Sequence, residues 1–201
     1  MLSRGLELTW MSSNGGPLLL VPGEYLSSWR GIGPPPEGQH IEAQFRWAGP
    51  DEPATDYDRA CDVTGYVGLL DIGAGQGVVL GDEPHSTAWR PLLAGDSDND
   101  LGGLLIRWVY ANSDDDDIIA VLEHVAQAAW RDEGLALDVG HEPLYLLDAA
   151  YAGSDLEGDD HLTIHLPAGR YTIATAEYEP DDHTSLVLHR LTRMSASIPP
   201  A

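Results

Sequence analysis

The chain has 201 residues, with 10 basic and 33 acidic side chains, a formal net charge of −23 and 43% hydrophobic residues. This length fits one large domain or two small ones, and the hydrophobic fraction excludes a disordered acidic tail. The charge repels phosphate, which excludes nucleic acids and anionic membranes as partners, and every apolar run is far shorter than the ~20 residues that cross a bilayer.

Two further features of the composition narrow the chemistry. All ten basic side chains are arginine, so Schiff-base chemistry and the lysine of a phosphate-binding loop are excluded. The single cysteine, Cys61, excludes an internal disulfide framework. Its acidic neighbours are expected to raise its pKa, which argues against a nucleophile. Residues 1–7 contain no apolar signal core, so we expect a cytoplasmic location.

The first half of the chain is predicted as strand, turn and loop. The strand candidates are residues 18–21, 66–72 and 78–80, and a short helix is predicted over residues 24–30. Residues 31–53 are rich in proline and glycine and are predicted as loop, with residues 43–47 the one strand-like piece. The glycine-rich segment 73–77 leads into another strand, so it is predicted as a hairpin turn and not as a phosphate-binding loop.

One longer helix is predicted over residues 114–132. Ser113 is a candidate N-cap, and the four aspartates after it place negative charge in the first turn, where the helix dipole favours it. Gly134 lies where a C-terminal glycine cap is expected. The apolar face that we expect to pack on a sheet consists of Ile118, Leu122, Val125 and Ala129.

Strands are predicted on both sides of this helix, at residues 104–110, 135–139 and 144–147. Three more, residues 162–166, 171–176 and 186–191, are separated by turn residues and predict a C-terminal antiparallel β-meander. Because strands are grouped with few helices and without β-α-β alternation, the predicted class is α+β: mostly antiparallel sheet with one main helix. We expect a single domain, residues 1–201, with two sub-halves, 1–95 and 101–195, as the alternative division.

A histidine pair is the best candidate for a metal site. His161 and His165 lie four residues apart on a predicted strand, so they share a face near Asp159 and Asp160. Two imidazoles and a carboxylate suit zinc, but the sequence offers no third spaced ligand and no general base. Solvent-facing histidines are therefore the favoured interpretation, and we expect no metal, cofactor or catalytic residue.

Acidic residues concentrate in expected loops and at the start of the helix. The candidate partner-binding residues are Asp114, Asp115, Asp116, Asp117, Asp159, Asp160, Asp181 and Asp182. Such clusters attract a basic partner when two of them share a face, because their fields then add within a Debye length of ~8 Å. The alternative is that these aspartates only cap backbone groups and are solvated. In that case the loops around Trp29, Trp47 and Trp89 become the candidates, since exposed aromatics anchor interfaces.

Several segments together resemble a known family. They are LTWMSSNGGPLLL at residues 8–20, WRG at 29–31, DYDRAC at 56–61, VLGDEP at 79–84 with TAW at 87–89, and LIRWVY at 105–110. The set is similar to the bacterial immunity protein family 21 of polymorphic toxin systems. The resemblance implies a cytoplasmic antidote that binds a toxin domain, with an α+β fold and no catalytic residues to carry over. Whether Asp56 and Arg59 pair with each other or with a partner stays open.

The sequence thus predicts a non-enzymatic cytoplasmic immunity protein that neutralises a cognate secreted toxin, itself basic, by occluding it. An acidic surface finds a basic toxin quickly through electrostatic steering. The alternative is a small metal-dependent hydrolase that uses His161, His165 and nearby carboxylates.

Overall fold

Strand-forming sequence dominates the chain. The computed structural model describes residues 8–81, 86–92, 102–111 and 115–195. The strands within these ranges are β1 (Trp10–Met11), β2 (Leu18–Pro22), β3 (Gly68–Ile72), β4 (Gly75–Leu80), β5 (Thr87–Pro91), β6 (Gly102–Ala111), β7 (Arg131–Val139), β8 (Leu144–Asp148), β9 (His161–Ile164), β10 (Gly169–Asp181) and β11 (Thr184–Arg193). The helices are α1 (Gly23–Leu26), α2 (Asp56–Cys61) and α3 (Asp115–Val121), and a 3₁₀ helix covers Leu122–Gln127. None of these helices is long and apolar enough to cross a membrane.

The strands form two sheets in which every neighbouring pair is antiparallel. The first sheet has the order β1-β5-β6-β11-β10-β7, and the second has the order β3-β4-β2-β8-β9. Each sheet combines strands that are far apart in the sequence, since β2 pairs with β8 and β11 lies between β6 and β10. The register of each sheet therefore depends on contacts between distant segments.

Apolar side chains cover both faces of the central strands, which explains why these strands are continuous hydrophobic runs in the sequence. In β2, Leu18 and Leu20 enter the core between the two sheets, while Leu19 and Val21 enter an outer core. Successive side chains of a strand point to opposite faces, so a strand buried on both sides needs an apolar residue at every position.

Short helices cover the two outer faces. Ile118 and Leu122, from α3 and the 3₁₀ helix, pack on the first sheet beside Leu104 and Ile106 of β6. On the second sheet, α1 and α2 cover the outer core that contains Tyr57. The layers therefore run helix, sheet, sheet, helix, with the site described below on the α2 side.

The predicted main helix over residues 114–132 is wrong, and so is the α+β class that depended on it. The structure is mostly β, and α3 has only 7 residues before the chain tightens into the 3₁₀ helix. Leu122, Val125 and Ala128 pack on the first sheet at a spacing of three, which is the period of a 3₁₀ helix. Ala129, expected on the buried face, is exposed. The candidate cap Ser113 lies outside the described residues.

Gly134 lies within β7 and does not cap a helix. Its φ is 67°, and it sits between Asp132 and Leu135, which pair with the consecutive residues Ala174 and Ile173 of β10. Residues 133 and 134 are therefore a bulge in β7. Both a helix cap and a bulge use a positive φ that favours glycine, so the residue type alone did not distinguish them.

The predicted C-terminal meander is also wrong. β9 pairs with β8 in the second sheet, whereas β10 and β11 form a hairpin in the first. The segment 165–168 thus carries the chain from one sheet to the other, and the Tyr171 hydroxyl donates a hydrogen bond to the Pro167 carbonyl at 2.7 Å. Ile164 and Tyr171 both enter the core between the sheets. Strands β9 and β10 therefore contribute to the same core without pairing with each other, as the meander had predicted they would.

Shorter predictions in the first half had mixed outcomes. Segment 73–77 does turn a hairpin: Ile72 pairs with Gly75, and Gly73 has a φ of 58°. Residues 43–47 form no strand. They are nevertheless held in place, by contacts with α2.

Candidate functional site

The short helix α2, which the sequence analysis missed, organises the candidate site. Its N-cap is Thr55, whose hydroxyl accepts a hydrogen bond from the Asp58 amide at 3.2 Å. In return, one carboxylate oxygen of Asp58 accepts from the Thr55 amide and hydroxyl at 2.8 and 2.9 Å. This is a capping box, and the Thr-x-x-Asp spacing in the sequence is the signal that could have located the helix.

Two carboxylates of this helix region also hold residues 44–47, which we call the aromatic loop. The second oxygen of Asp58 accepts from the Trp47 amide at 2.7 Å. The carboxylate of Asp62 accepts from the amides of Gln44 and Phe45, the latter at 2.8 Å. The loop is thus fixed by backbone hydrogen bonds to charged acceptors, which are stronger than neutral ones.

The fixed loop presents two aromatic side chains to solvent. Phe45 is 42% exposed and Trp47 is 62% exposed. Both meet the buried Tyr57 ring edge-to-face, with centroid distances of 6.5 and 6.1 Å. These are favourable aromatic geometries, so Tyr57 orients both rings.

The three aromatic rings border a pocket of about 320 Å³, which we call the aromatic pocket. Its lining residues are Gly15, Gly16, Pro17, Phe45, Trp47, Tyr57, Ala60, Cys61, Val63 and Gly81. Apart from Val63, the lining residues belong to three of the segments that carry the family resemblance and to the aromatic loop.

The wall formed by residues 15–17 is fixed by a buried carboxylate. Asp148, at the end of β8, accepts from the Asn14 amide at 2.9 Å and from the Ala150 amide at 2.9 Å. Gly15 has a φ of 107°, which turns the chain into β2. Gly16 lies directly against the Tyr57 ring, where a Cβ atom would clash.

The floor of the pocket holds two groups whose pKa is raised, Tyr57 and Cys61. Burial raises the pKa of Tyr57 to about 12, and the hydrogen bond with Cys61 and the charges of Cys61, Asp148 and Asp58 add to the rise. Burial also raises the pKa of the Cys61 thiol; Asp58, Asp62 and Asp148 add to this effect, and the hydrogen bond with Tyr57 opposes it. The thiol is therefore held protonated at neutral pH, as its acidic neighbours in the sequence predicted, and is not activated as a nucleophile.

Asp56 and Arg59, whose roles the sequence left open, pair with each other at 2.7 Å. Asp56 also accepts from the Arg30 amide at 3.1 Å, and Arg59 donates to the Asp71 carbonyl at 3.1 Å. Both side chains tie α2 to neighbouring segments, which is a structural role.

The predicted acidic clusters fall at two places in the fold. Asp181 and Asp182 are exposed at the β10–β11 turn, where Thr184 pairs with Ala111, the last residue of β6. Asp115, Asp116 and Asp117 begin α3 four residues after that strand end, and Asp114 lies outside the described residues. Asp159 and Asp160 precede β9 at an edge of the second sheet. The register thus brings the start of α3 and the β10–β11 turn to one end of the first sheet.

The other candidates occupy separate positions. His161 packs against Tyr145 at a centroid distance of 5.1 Å, and His165 is exposed beyond the end of β9. The described part of the chain holds no group of three or more histidine, cysteine, aspartate or glutamate residues fit to bind a metal.

Trp29 is buried and donates to the Ala149 carbonyl at 3.0 Å, and Trp89 packs against the core between the sheets. Of the three tryptophan loops, only that of Trp47 presents an exposed ring.

Comparison with known proteins gives one match. A family model described as Immunity protein 21 matches residues 9–184, which is most of the chain and includes every residue of the aromatic pocket. No curated protein and no solved structure matches the chain significantly.

Proposed function

The chain belongs to the Immunity protein 21 family, and from this premise we propose that it binds a cognate toxin domain in the cytoplasm and neutralises it without catalysis. The toxin is blocked because the bound immunity protein covers its active surface. The single observation that carries this proposal is the family match over residues 9–184.

The charge of the chain supports a basic toxin as the partner. With 33 acidic and 10 basic side chains, the protein attracts a positively charged surface from a distance and speeds its association. Toxins that act on phosphate-containing substrates carry basic clefts for that purpose, and an acidic inhibitor complements such a cleft. The affinity itself then depends on short-range contacts.

The experiment takes as toxin candidate the C-terminal domain of the protein encoded by the gene adjacent to that of this chain. Expression of that domain alone is expected to stop growth, and co-expression with this chain is expected to restore it. The purified pair is expected to elute as one complex in size-exclusion chromatography. Loss of growth despite co-expression, with no complex formed, would contradict the proposal.

A metal analysis of the purified protein separates this function from the metal-dependent hydrolase. The hydrolase would require a stoichiometric transition metal that is lost in His165→Ala. For an inhibitor that acts by occlusion, His165→Ala is expected to leave both the metal content and the protection from toxin unchanged.

A further inference from the structure

The aromatic pocket has features of a receptor for one kind of side chain. Resting on the proposed function, we infer that it receives an arginine or lysine side chain from the surface of the toxin, with the cation against the rings of Phe45 and Trp47. Four observations support this inference: the fixed exposed rings, their arrangement, the charge around the pocket and the field at its floor.

The first observation is that the exposed rings are rigidly presented. An aromatic side chain that is exposed to water forgoes the free energy of burial. In a mobile loop, such side chains would be free to turn back onto the protein surface. Here the carboxylates of Asp58 and Asp62 hold the loop backbone. Arg46 stiffens the loop further by donating to the carbonyls of Ala43 and Phe45. Rigid aromatic anchors are typical of interface hot spots, because little side-chain entropy is lost on binding.

The second observation is the arrangement of the rings around the cavity. Phe45, Trp47 and Tyr57 all border the same pocket, and the remaining lining is glycine, apolar side chain and the Cys61 thiol. A guanidinium or ammonium group within ~6 Å of an aromatic ring centroid is attracted to the ring face, most strongly by tryptophan. The aliphatic stem of arginine or lysine can pack on the apolar wall, as such stems do elsewhere.

The third observation is the charge of the surrounding stretch. Residues 34–53 carry four exposed carboxylates, on Glu37, Glu42, Asp51 and Glu52. Arg46 is the one arginine of that stretch, and its guanidinium donates to the carbonyls of Ala43 and Phe45. With four carboxylates against one arginine, this stretch carries a net charge of −3 (1 − 4), which attracts an approaching cation and repels an acidic side chain.

The fourth observation is the field at the floor. Asp58 accepts from the Trp47 amide at 2.7 Å and Asp148 accepts from the Asn14 amide at 2.9 Å, so two carboxylates lie next to the pocket walls. Both charges add to the effect of burial in raising the pKa of Tyr57. A cation placed there is favoured by the same charges. The Tyr57 oxygen is also a hydrogen-bond acceptor for a guanidinium or ammonium group.

The test measures binding of the toxin domain defined above to three variants of this chain. Trp47→Ala and Phe45→Ala are each expected to weaken binding at least 10-fold. The matched control is Met194→Ala, which removes a side chain that is 49% exposed and lies outside the pocket. This control is expected to change the dissociation constant less than 2-fold. Thermal unfolding of each variant checks that the fold is intact.

A second step identifies the bound side chain. Each arginine and lysine of the toxin domain is replaced by alanine and measured against wild-type chain and against Trp47→Ala. We expect one basic toxin residue whose substitution weakens binding to wild type at least 10-fold but has no effect on binding to Trp47→Ala. Such non-additivity identifies residues in direct contact.

The outcomes separate the two proposals. If wild-type chain binds the toxin domain and both aromatic variants bind equally well, the pocket inference is overturned while the proposed function stands. If Trp47→Ala weakens binding but couples to no basic toxin residue, the identity of the bound side chain is wrong. If wild-type chain binds no toxin domain, the proposed function fails, and the pocket inference fails with it.

Discussion

At the scale of single residues, Tyr57 connects the parts of the aromatic pocket. Its ring lies against Gly16, orients the rings of Phe45 and Trp47, and its hydroxyl bonds Cys61. Glycine at position 16 is required because any side chain there would occupy the space of the tyrosine ring. One glycine and one tyrosine, 41 positions apart in the sequence, therefore depend on each other.

Gly16→Ala is expected to destabilise the protein by ~1–3 kcal/mol, because the added Cβ overpacks a filled site. Tyr57 must then shift, and the edge-to-face contacts with the aromatic loop are lost with it. Urea unfolding measures the free energy, and a double-mutant cycle with Tyr57→Ala tests the cause. The methyl group has room once the ring is gone, so Gly16→Ala should cost much less in the Tyr57→Ala background. Equal costs in the two backgrounds would contradict the clash.

His189 is a second residue whose environment decides its chemistry. It is fully buried on β11, and its Nδ1 lies 2.9 Å from the Thr175 hydroxyl. Burial, with the positive charges of Arg107 and Arg131, lowers the pKa of His189 to about 3. The imidazole is therefore neutral in the folded protein at every pH where the protein is expected to work.

This lowered pKa gives a pH dependence with a definite sign. In the unfolded chain His189 gains a proton near pH 6.5, whereas in the folded protein it does so only near pH 3. The unfolded state binds more protons between these values, so stability falls as the pH drops below 6.5, by up to ~1.4 kcal/mol per pH unit. His189→Gln should remove this part of the slope in urea unfolding from pH 7 to pH 4.

His183→Gln is the matched control, because His183 is exposed at the β10–β11 turn. It should keep the wild-type slope. If the His189→Gln variant fails to fold, an NMR titration of the His189 ring in the wild-type protein still tests the prediction. A ring that titrates near pH 6 in the folded wild type would contradict the neutral buried state.

At the scale of elements, the segment after β6 shows how packing selects one helix type over another. A seven-residue α-helix is too short to be stable alone, since nucleation is unfavourable, so its contacts with the first sheet hold it. The Tyr178 hydroxyl, on β10, donates to the Val121 carbonyl at 2.7 Å, at the junction with the 3₁₀ helix. Beyond it, Trp130 packs under the Arg190 guanidinium at 4.3 Å and leads into β7. The sheet thus decides where the helix ends.

Two adjacent alanines test this assignment. In the 3₁₀ arrangement Ala128 packs on the first sheet and Ala129 is exposed, whereas a continuous α-helix would bury Ala129. Ala128→Asp is expected to destabilise the protein by ~1–3 kcal/mol, because the carboxylate loses water without gaining a partner. Ala129→Asp is expected to change the stability by less than ~0.5 kcal/mol, as surface substitutions do. The reverse order in urea unfolding would support the α-helix.

At the scale of the whole molecule, charge and shape have separate roles. The net charge of −23 acts over the Debye length and governs how fast a basic partner arrives. In the proposed complex, the aromatic pocket acts at contact, where short-range interactions set how long the partner stays bound. The β10–β11 turn and the start of α3 lie at one end of the first sheet, whereas the aromatic pocket lies on the α2 side of the second sheet.

Charge reversal at Asp181 and Asp182 tests the role of the acidic end. The double change to lysine is expected to lower the association rate for the toxin domain and to weaken its salt dependence, while the dissociation rate changes little. Stopped-flow measurements at two salt concentrations give both rates. The same reversal at Asp71 and Asp155, which are exposed elsewhere, controls for net charge. If both double variants slow association equally, only the total charge matters.

The family and several strands could be predicted from the sequence because they depend on local patterns. The resemblance was confirmed by the match over residues 9–184. Residues 18–21 and 104–110 form β2 and β6 as expected, since a run of branched apolar residues fits a strand with two covered faces. The hairpin at residues 73–77 was confirmed because its turn chemistry is local.

The sequence alone could not predict the features that depend on contacts between distant segments. From Leu122 onward, the apolar residues fit a period of 3.6 through Ala129 and a period of 3.0 through Ala128 alike, and contact with the first sheet selected the second. Gly134 signalled a positive φ, but pairing with β10 made it a bulge. The aromatic pocket joins Gly16, Trp47 and Tyr57, and no local pattern reports that three separate segments meet. Composition and local pattern therefore determined the charge, the family and the individual strands, whereas the order of the sheets, the end of the helix and the pocket were decided by packing between residues far apart in the chain.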